Sequence, residues 1–162
     1  MKNNDVDMEY EKQKARGFAL TAFKTKEEYK KMGFRNNAED MLDLLNEKFD
    51  RLHLITAGLP VIQNPKIEAL NLEQWFDEIH IVEIKGKKDK IQKLRNKYDA
   101  TNITHIGNSE MSDIKAAIKA DANAVYLPRS LWMGTTDTDY NKIDSVEIFD
   151  SIPEYITHIQ EN

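Results

Sequence analysis

The sequence of 162 residues contains no cysteine. Disulfide bonds, thiolate nucleophiles and cysteine-based zinc sites are therefore excluded. It also contains no apolar run of about 18 residues, the length that a membrane-spanning helix needs. The first residues, Met1 to Asp5, are too polar for a signal peptide. We therefore expect a soluble cytoplasmic protein without a membrane partner.

Positive charge is in deficit as well, because 23 Lys and Arg stand against 28 Asp and Glu, for a formal net charge of −5. This balance gives no electrostatic footprint for nucleic acid, so we expect no nucleic-acid partner. No glycine-rich loop of the P-loop or dinucleotide-binding type is present. Its absence argues against an unrelated nucleotide-binding or response-regulator-like domain.

What the sequence does contain, from about residue 36 onwards, is a regular alternation of short apolar strands and helices of about ten residues. This alternation is typical of βαβ units, which form a parallel sheet with right-handed crossovers. We predict an α/β domain over residues 36–162, preceded by an N-terminal segment, residues 1–35, that is partly helical or disordered. The predicted strands are 51–56, 78–84, 102–106, 124–127 and 146–149.

Ligands of open parallel sheets bind at the carboxyl ends of the strands. The residues that follow the predicted strands are therefore the informative ones. They are Thr56 to Gly58, Lys85 to Lys88, Gly107 to Asp113, and Pro128 with Arg129.

Three of these strand ends resemble motifs of the haloacid dehalogenase-like hydrolases. Residues 104–114 (THIGNSEMSDI) resemble the fourth motif, which is an apolar strand, Gly-Asp-Ser, three residues and an Asp at the start of a helix. Residues 54–58 (LITAG) resemble the second motif and residues 85–91 (KGKKDKI) the third. The resemblance covers roughly residues 36–160. It implies a three-layer, Rossmann-like fold with a parallel sheet and little or no cap domain. Residues 1–35 would then be a remnant of the cap.

The resemblance also implies a chemistry, since members of this family transfer phosphoryl groups. An Asp nucleophile attacks phosphorus, a second Asp handles the leaving-group proton, and Mg²⁺ neutralises charge on the phosphoryl oxygens. The substrate would be a small phosphorylated molecule. By resemblance, Thr56 and Lys87 would be catalytic, Thr56, Ala57, Gly58, Lys87 and Lys88 would bind phosphate, and Asp113 and Asn108 would hold Mg²⁺.

Two features depart from the family pattern. Asn108 occupies the first acidic position of the fourth motif, and a neutral carboxamide binds Mg²⁺ more weakly than a carboxylate does. The first motif, an apolar strand that ends in Asp-x-Asp, has its spacing at Asp5 and Asp7. However, Glu9 stands where Thr or Val belongs, and only four residues precede Asp5.

These departures leave alternatives open. Asp5 and Asp7 are the catalytic pair, or the apolar run 18–23 fills the first-strand position without a carboxylate, or the chain lacks that strand altogether. A sheet without its central strand has unpaired edges, which invite pairing with another chain. The chain is thus a Mg²⁺-dependent phosphohydrolase, or a catalytically silent domain for binding or assembly. The silent domain would need a homo-oligomer or a partner chain to cover the sheet.

Each of these residues also has a plain structural interpretation. Lys87 and Lys88 belong to a lysine-rich run of the kind that usually forms a solvated helix start. Asp113 would complement the dipole of a helix in its first turn. The three histidines at positions 53, 80 and 105 lie within predicted strands, so we interpret them as structural.

Overall fold

A computed structural model of the chain describes residues 24–128 and 139–162. The candidate carboxylates Asp5 and Asp7, the apolar run 18–23 and Arg129 lie outside these residues. The helices are α1 (Lys26–Met32), α2 (Ala38–Lys48), α3 (Pro60–Ala69), α4 (Lys87–Lys97), α5 (Lys115–Lys119) and α6 (Ile152–Glu161). The strands are β1 (His53–Ala57), β2 (Glu78–Val82), β3 (Thr104–Gly107), β4 (Asn123–Tyr126) and β5 (Val146–Ile148).

The helices form where apolar residues recur at helical spacing behind a capping residue. In α6, the Ser151 side chain accepts a hydrogen bond from the Glu154 backbone N–H at 3.3 Å, which caps the first turn. Ile152, Tyr155 and Ile159 then fall on one face and are buried. None of the described helices is long and apolar enough to cross a membrane.

The strands pair in parallel, as the alternation of strands and helices predicts. β1 pairs with β2, and β4 lies between β3 and β5. Within residues 24–128 and 139–162 the strands therefore form two sheets, of two and of three strands, with no backbone ladder between them. In that part of the chain β1 and β3 each have a paired neighbour on one side.

The two sheets share one apolar layer above them and another below. Leu54 of β1, Ile106 of β3 and Val125 of β4 pack into the layer that α2, α3 and α6 cover. Ile55 of β1 and Ala124 of β4 pack into the opposite layer, under α4 and α5. Because each layer contacts both sheets, the architecture is a three-layer, Rossmann-like α/β fold with parallel strands, which confirms the predicted fold class.

Candidate functional site

Lys87, in the segment that follows β2, contacts Asp113, in the segment that follows β3. Lys87 is the first residue of α4, and Asp113 lies in a π-helical turn (Glu110–Ile114) that follows β3. The Lys87 Nζ donates a hydrogen bond to Asp113 Oδ1. The two side chains are only 14% and 5% exposed, so this ion pair is largely shielded from water.

Both carboxylate oxygens of Asp113 have two partners. Oδ1 contacts Lys87 Nζ and lies 3.3 Å from His105 Nε2. Oδ2 accepts hydrogen bonds from the backbone N–H groups of Asn108 at 3.2 Å and Ser109 at 3.0 Å. Burial by itself would raise the pKa of Asp113, but the contacts with His105 and Lys87 outweigh it and hold that pKa well below its usual range.

The turn that presents Asp113 is built by its neighbours in sequence. The Ser109 side chain accepts a hydrogen bond from the Ser112 N–H, and the Ser109 carbonyl accepts from both Asp113 and Ile114. A Cβ atom on Gly107 would lie 2.3 Å from the Cβ of Asp113 and 2.4 Å from its Cγ. Only glycine leaves room at that position for the Asp113 side chain.

Thr56 lies near the carboxyl end of β1 and contacts a residue that sequence analysis did not select. Its Oγ1 donates to Gln63 Oε1 at 3.1 Å, and Gln63 Nε2 donates to the Ala57 carbonyl at 3.3 Å. In the described part of the chain, Thr56 makes no hydrogen bond to Lys87 or Asp113. The Gly58 N–H donates to the Val82 carbonyl at 2.9 Å, so it belongs to the strand ladder.

The side chains of the two candidate lysines, Lys87 and Lys88, have different surroundings. Lys87 is mostly buried against Asp113, whereas the Lys88 side chain is 48% exposed, with Nζ 3.6 Å from Asp89 Oδ1. Lys87 is therefore the lysine that reaches Asp113. Asn108 contributes its backbone N–H to Asp113, and its side-chain amide makes no hydrogen bond within the described ranges.

His105 lies within a strand, as the sequence predicts, and it contacts the candidate site. It lies in β3, and its Nε2 touches the same Asp113 oxygen that Lys87 binds. A strand residue can reach this site because Asp113 folds back towards the end of the strand. No motif in the sequence signals that contact.

The acid stability of the protein should depend on Asp113. Because its pKa is lowered on folding, its stabilising contribution is complete above about pH 4, the ordinary range of an Asp, and is lost as the pH falls towards its lower pKa in the folded state. We expect the Asp113→Asn variant to be less stable than the parent at pH 7 and this difference to shrink below pH 4. Urea unfolding at a series of pH values measures both. A difference that stayed constant down to pH 3 would contradict this prediction.

No family model matches the sequence, and no curated protein matches it significantly. Solved structures do resemble it. A haloacid dehalogenase-like family hydrolase from Xanthomonas campestris is 18% identical with a TM-score of 0.61, over 78% of this chain and 50% of that one. Magnesium-bound YfnB of Bacillus subtilis, assigned to the same class of hydrolases, is 17% identical with a TM-score of 0.62, over 77% of this chain and 55% of that one.

An uncharacterized protein from Listeria monocytogenes serotype 4b is 16% identical with a TM-score of 0.60, over 80% of this chain and 83% of that one. The chain thus spans about half the length of the two hydrolases it resembles. At these identities the likeness concerns the fold. The chain has the fold of the haloacid dehalogenase-like hydrolases.

Proposed function

We propose that this chain is a phosphohydrolase-type domain of the haloacid dehalogenase-like hydrolases, and that it binds the phosphoryl group of a small phosphate ester at the Lys87–Asp113 pair. The observation that carries the proposal is the Lys87 ammonium, which is mostly buried and contacts Asp113, between the segments that follow β2 and β3. An ammonium shielded from water interacts more strongly with an anion than an exposed one does. Lys87 also offers three donors on a flexible stem.

Lys87 would act by exchanging partners. Its Nζ would turn from Asp113 Oδ1 to a phosphoryl oxygen and stabilise the charge that develops there. Asp113 would hold the lysine in place before the substrate arrives. Thr56 would supply a hydroxyl donor once it releases Gln63, whose side chain also occupies the space beside Gly58.

Mg²⁺ is the cofactor that this proposal includes, and the donor set suits it. Asp113 and Asn108 offer a carboxylate and a carboxamide oxygen, and Mg²⁺ is commonly held by one or two carboxylates together with waters and substrate phosphate. When bound, the ion would neutralise charge on the phosphoryl oxygens. Because Lys87 and His105 both contact Asp113 Oδ1, we expect weak Mg²⁺ binding by the free protein and tighter binding in the presence of phosphate.

A second function is favoured because the described residues place no free carboxylate nucleophile beside Lys87. Asp113 is the carboxylate that residues 24–128 and 139–162 place beside Lys87, and four donors hold it, so it is not a free nucleophile. Asp5, with Asp7 as the acid–base partner, is the candidate that the sequence offers. If neither serves, the domain would bind phosphorylated ligands or assemble with a copy of itself or another chain along β1 and β3. Asn108 in place of an aspartate agrees with that alternative.

The test combines binding with turnover. Titration calorimetry with inorganic phosphate, with and without Mg²⁺, measures binding, and p-nitrophenyl phosphate measures hydrolysis. We expect Lys87→Gln to abolish both signals, Lys88→Gln to preserve both, and Asp5→Asn to abolish hydrolysis alone. Circular dichroism confirms that each variant is folded.

The possible outcomes separate the two functions. Hydrolysis that depends on Lys87 and Asp5 supports the phosphohydrolase. Phosphate binding without hydrolysis, together with a dimer in light scattering, supports the silent domain. Absence of both phosphate binding and hydrolysis in the folded parent protein overturns the proposal.

A further inference from the structure

A second cluster of polar side chains lies at the opposite end of the β1–β2 pair. His53 and Glu78 are the first residues of their strands and face each other in the register, and His80 follows Glu78 by two positions. Since side chains of a strand alternate between faces, Glu78 and His80 project from the same face, beside His53. At about 3.3 Å per residue, His53 and Glu78 lie about 13 Å along the strands from their carboxyl ends, and His80 lies about 7 Å from the end of β2.

The two histidines of this cluster have ring nitrogens that form no hydrogen bond within the described residues. Both ring nitrogens of His53 and the Nε2 of His80 are buried, and none of the three forms a hydrogen bond within the described part of the chain. Buried side-chain polar atoms nearly always have a partner. The rings lie next to each other, with centroids 5.8 Å apart and planes inclined by 20°. Several such ring nitrogens in one small volume suggest that they serve a ligand.

Glu78 supplies the third donor of the cluster. Its Oε1 accepts hydrogen bonds from Lys97 Nζ and the Tyr98 hydroxyl, which lowers the pKa of Glu78 to about 2 and fixes the carboxylate. Its Oε2 lies 3.5 Å from His80 Nε2. One donor atom from each of the three residues lies within 4.8 Å of the others.

We propose that His53, Glu78 and His80 form a binding site for a divalent transition metal, with zinc as the best match and water as the fourth ligand. Two imidazoles and a carboxylate are a donor set that zinc accepts, and its bond lengths place tetrahedral ligand atoms about 3.4 Å apart. The donors are therefore close enough to reach the ion by small side-chain rotations. The nitrogen donors distinguish this site from the oxygen donors beside Lys87, which suit Mg²⁺.

The surroundings of the cluster support the proposal. Burial is the main cause that lowers the pKa of His53 and His80, and a lowered pKa favours the neutral imidazole that binds metal. Lys97 and Tyr98 orient Glu78 as outer-shell groups orient metal ligands. Because His53 comes from β1 and the other two residues from β2, a bound ion would cross-link the two strands.

The test is a zinc titration of the full chain after treatment with a chelator, in competition with a chromophoric chelator at neutral pH. We expect one zinc per chain and a rise in melting temperature on zinc addition. His80→Gln and Glu78→Gln should each weaken binding by more than about 100-fold, because the loss of outer-shell groups alone costs about 10–100-fold. Both variants should lose the rise in melting temperature while circular dichroism shows them folded.

Two control variants locate the ion. The four histidines of the sequence are His53, His80, His105 and His158, and the last lies on α6, where it pairs with Glu147 at 3.1 Å. His158→Gln and Asp113→Asn should both retain zinc binding. Failure of the folded parent protein to bind zinc would overturn the proposal, as would binding that persists in His80→Gln and Glu78→Gln or disappears in Asp113→Asn. These outcomes are independent of phosphate binding at Lys87.

Discussion

Replacing Lys87 by methionine is expected to lower the free energy of unfolding by about 3 kcal/mol at pH 7. Removal of one partner from a buried ion pair typically costs about 3–5 kcal/mol, because the other charge remains buried without compensation. We expect the low end of this range, since His105 and the two backbone amides still contact Asp113. Urea unfolding followed by circular dichroism measures the change.

Two further variants show whether the cost comes from the ion pair. Lys88→Met should change the free energy of unfolding by less than about 0.5 kcal/mol, because Lys88 is half exposed and its ammonium lies beside an exposed aspartate. In the Lys87→Met protein, the additional change Asp113→Asn should recover part of the lost stability, because it removes the uncompensated charge. Equal costs for Lys87→Met and Lys88→Met would mean that the pair contributes nothing.

The second large effect is expected from Gly107→Ala. The added Cβ would lie 2.3–2.6 Å from Asp113 atoms, so the aspartate would have to move away from the strand end. Overpacking of this kind costs about 1–3 kcal/mol, and displacement of Asp113 would also weaken its contact with Lys87. We expect a total loss of about 3 kcal/mol or more in the free energy of unfolding, together with loss of phosphate binding.

Gly33→Ala is the matched control for that substitution. A Cβ on Gly33 would meet no atom within 4 Å, although its φ of +60° is unfavourable for alanine. We expect it to cost about 1–3 kcal/mol through backbone strain alone, because its φ of +60° and ψ of −163° are adopted almost only by glycine, and to leave phosphate binding unchanged. In an Asp113→Gly background the cost of Gly107→Ala should shrink, because the obstructing side chain is gone. A Gly107→Ala protein as stable as its parent would show that Asp113 does not pack against Gly107 in solution.

Much of the fold follows from hydrophobic pattern alone. The strand predicted at 78–84 is observed as Glu78–Val82, and the lysine-rich segment after it forms the helix Lys87–Lys97. Lys87 and Asp113 both follow parallel strands, and their side chains are in contact. These features are predictable because apolar periodicity sets which face is buried, and strand order sets which ends are adjacent.

The side-chain contacts between helices and strands could not be predicted from the sequence. Pattern identifies the face of a strand but not the rotamer of its side chains, so the hydrogen bond from Thr56 to Gln63 and the reach of His105 to Asp113 could not be foreseen. The pairing of His53 with Glu78 depends on the register between β1 and β2, which no local signal encodes. The roles proposed for Thr56 and Lys87 in catalysis stay predictions.

The ion pair also joins parts of the molecule that no backbone ladder connects in the described chain. Lys87 follows the last strand of one sheet, and Asp113 follows the first strand of the other. Their separation is set by the side chains that fill the layer beneath α4 and α5, Ile91 and Ile114 among them. The Lys87–Asp113 contact is therefore sensitive to the distance between the two sheets. A substitution in this layer that moves the sheets apart would weaken the contact between the ammonium and the carboxylate, although neither charged residue is changed.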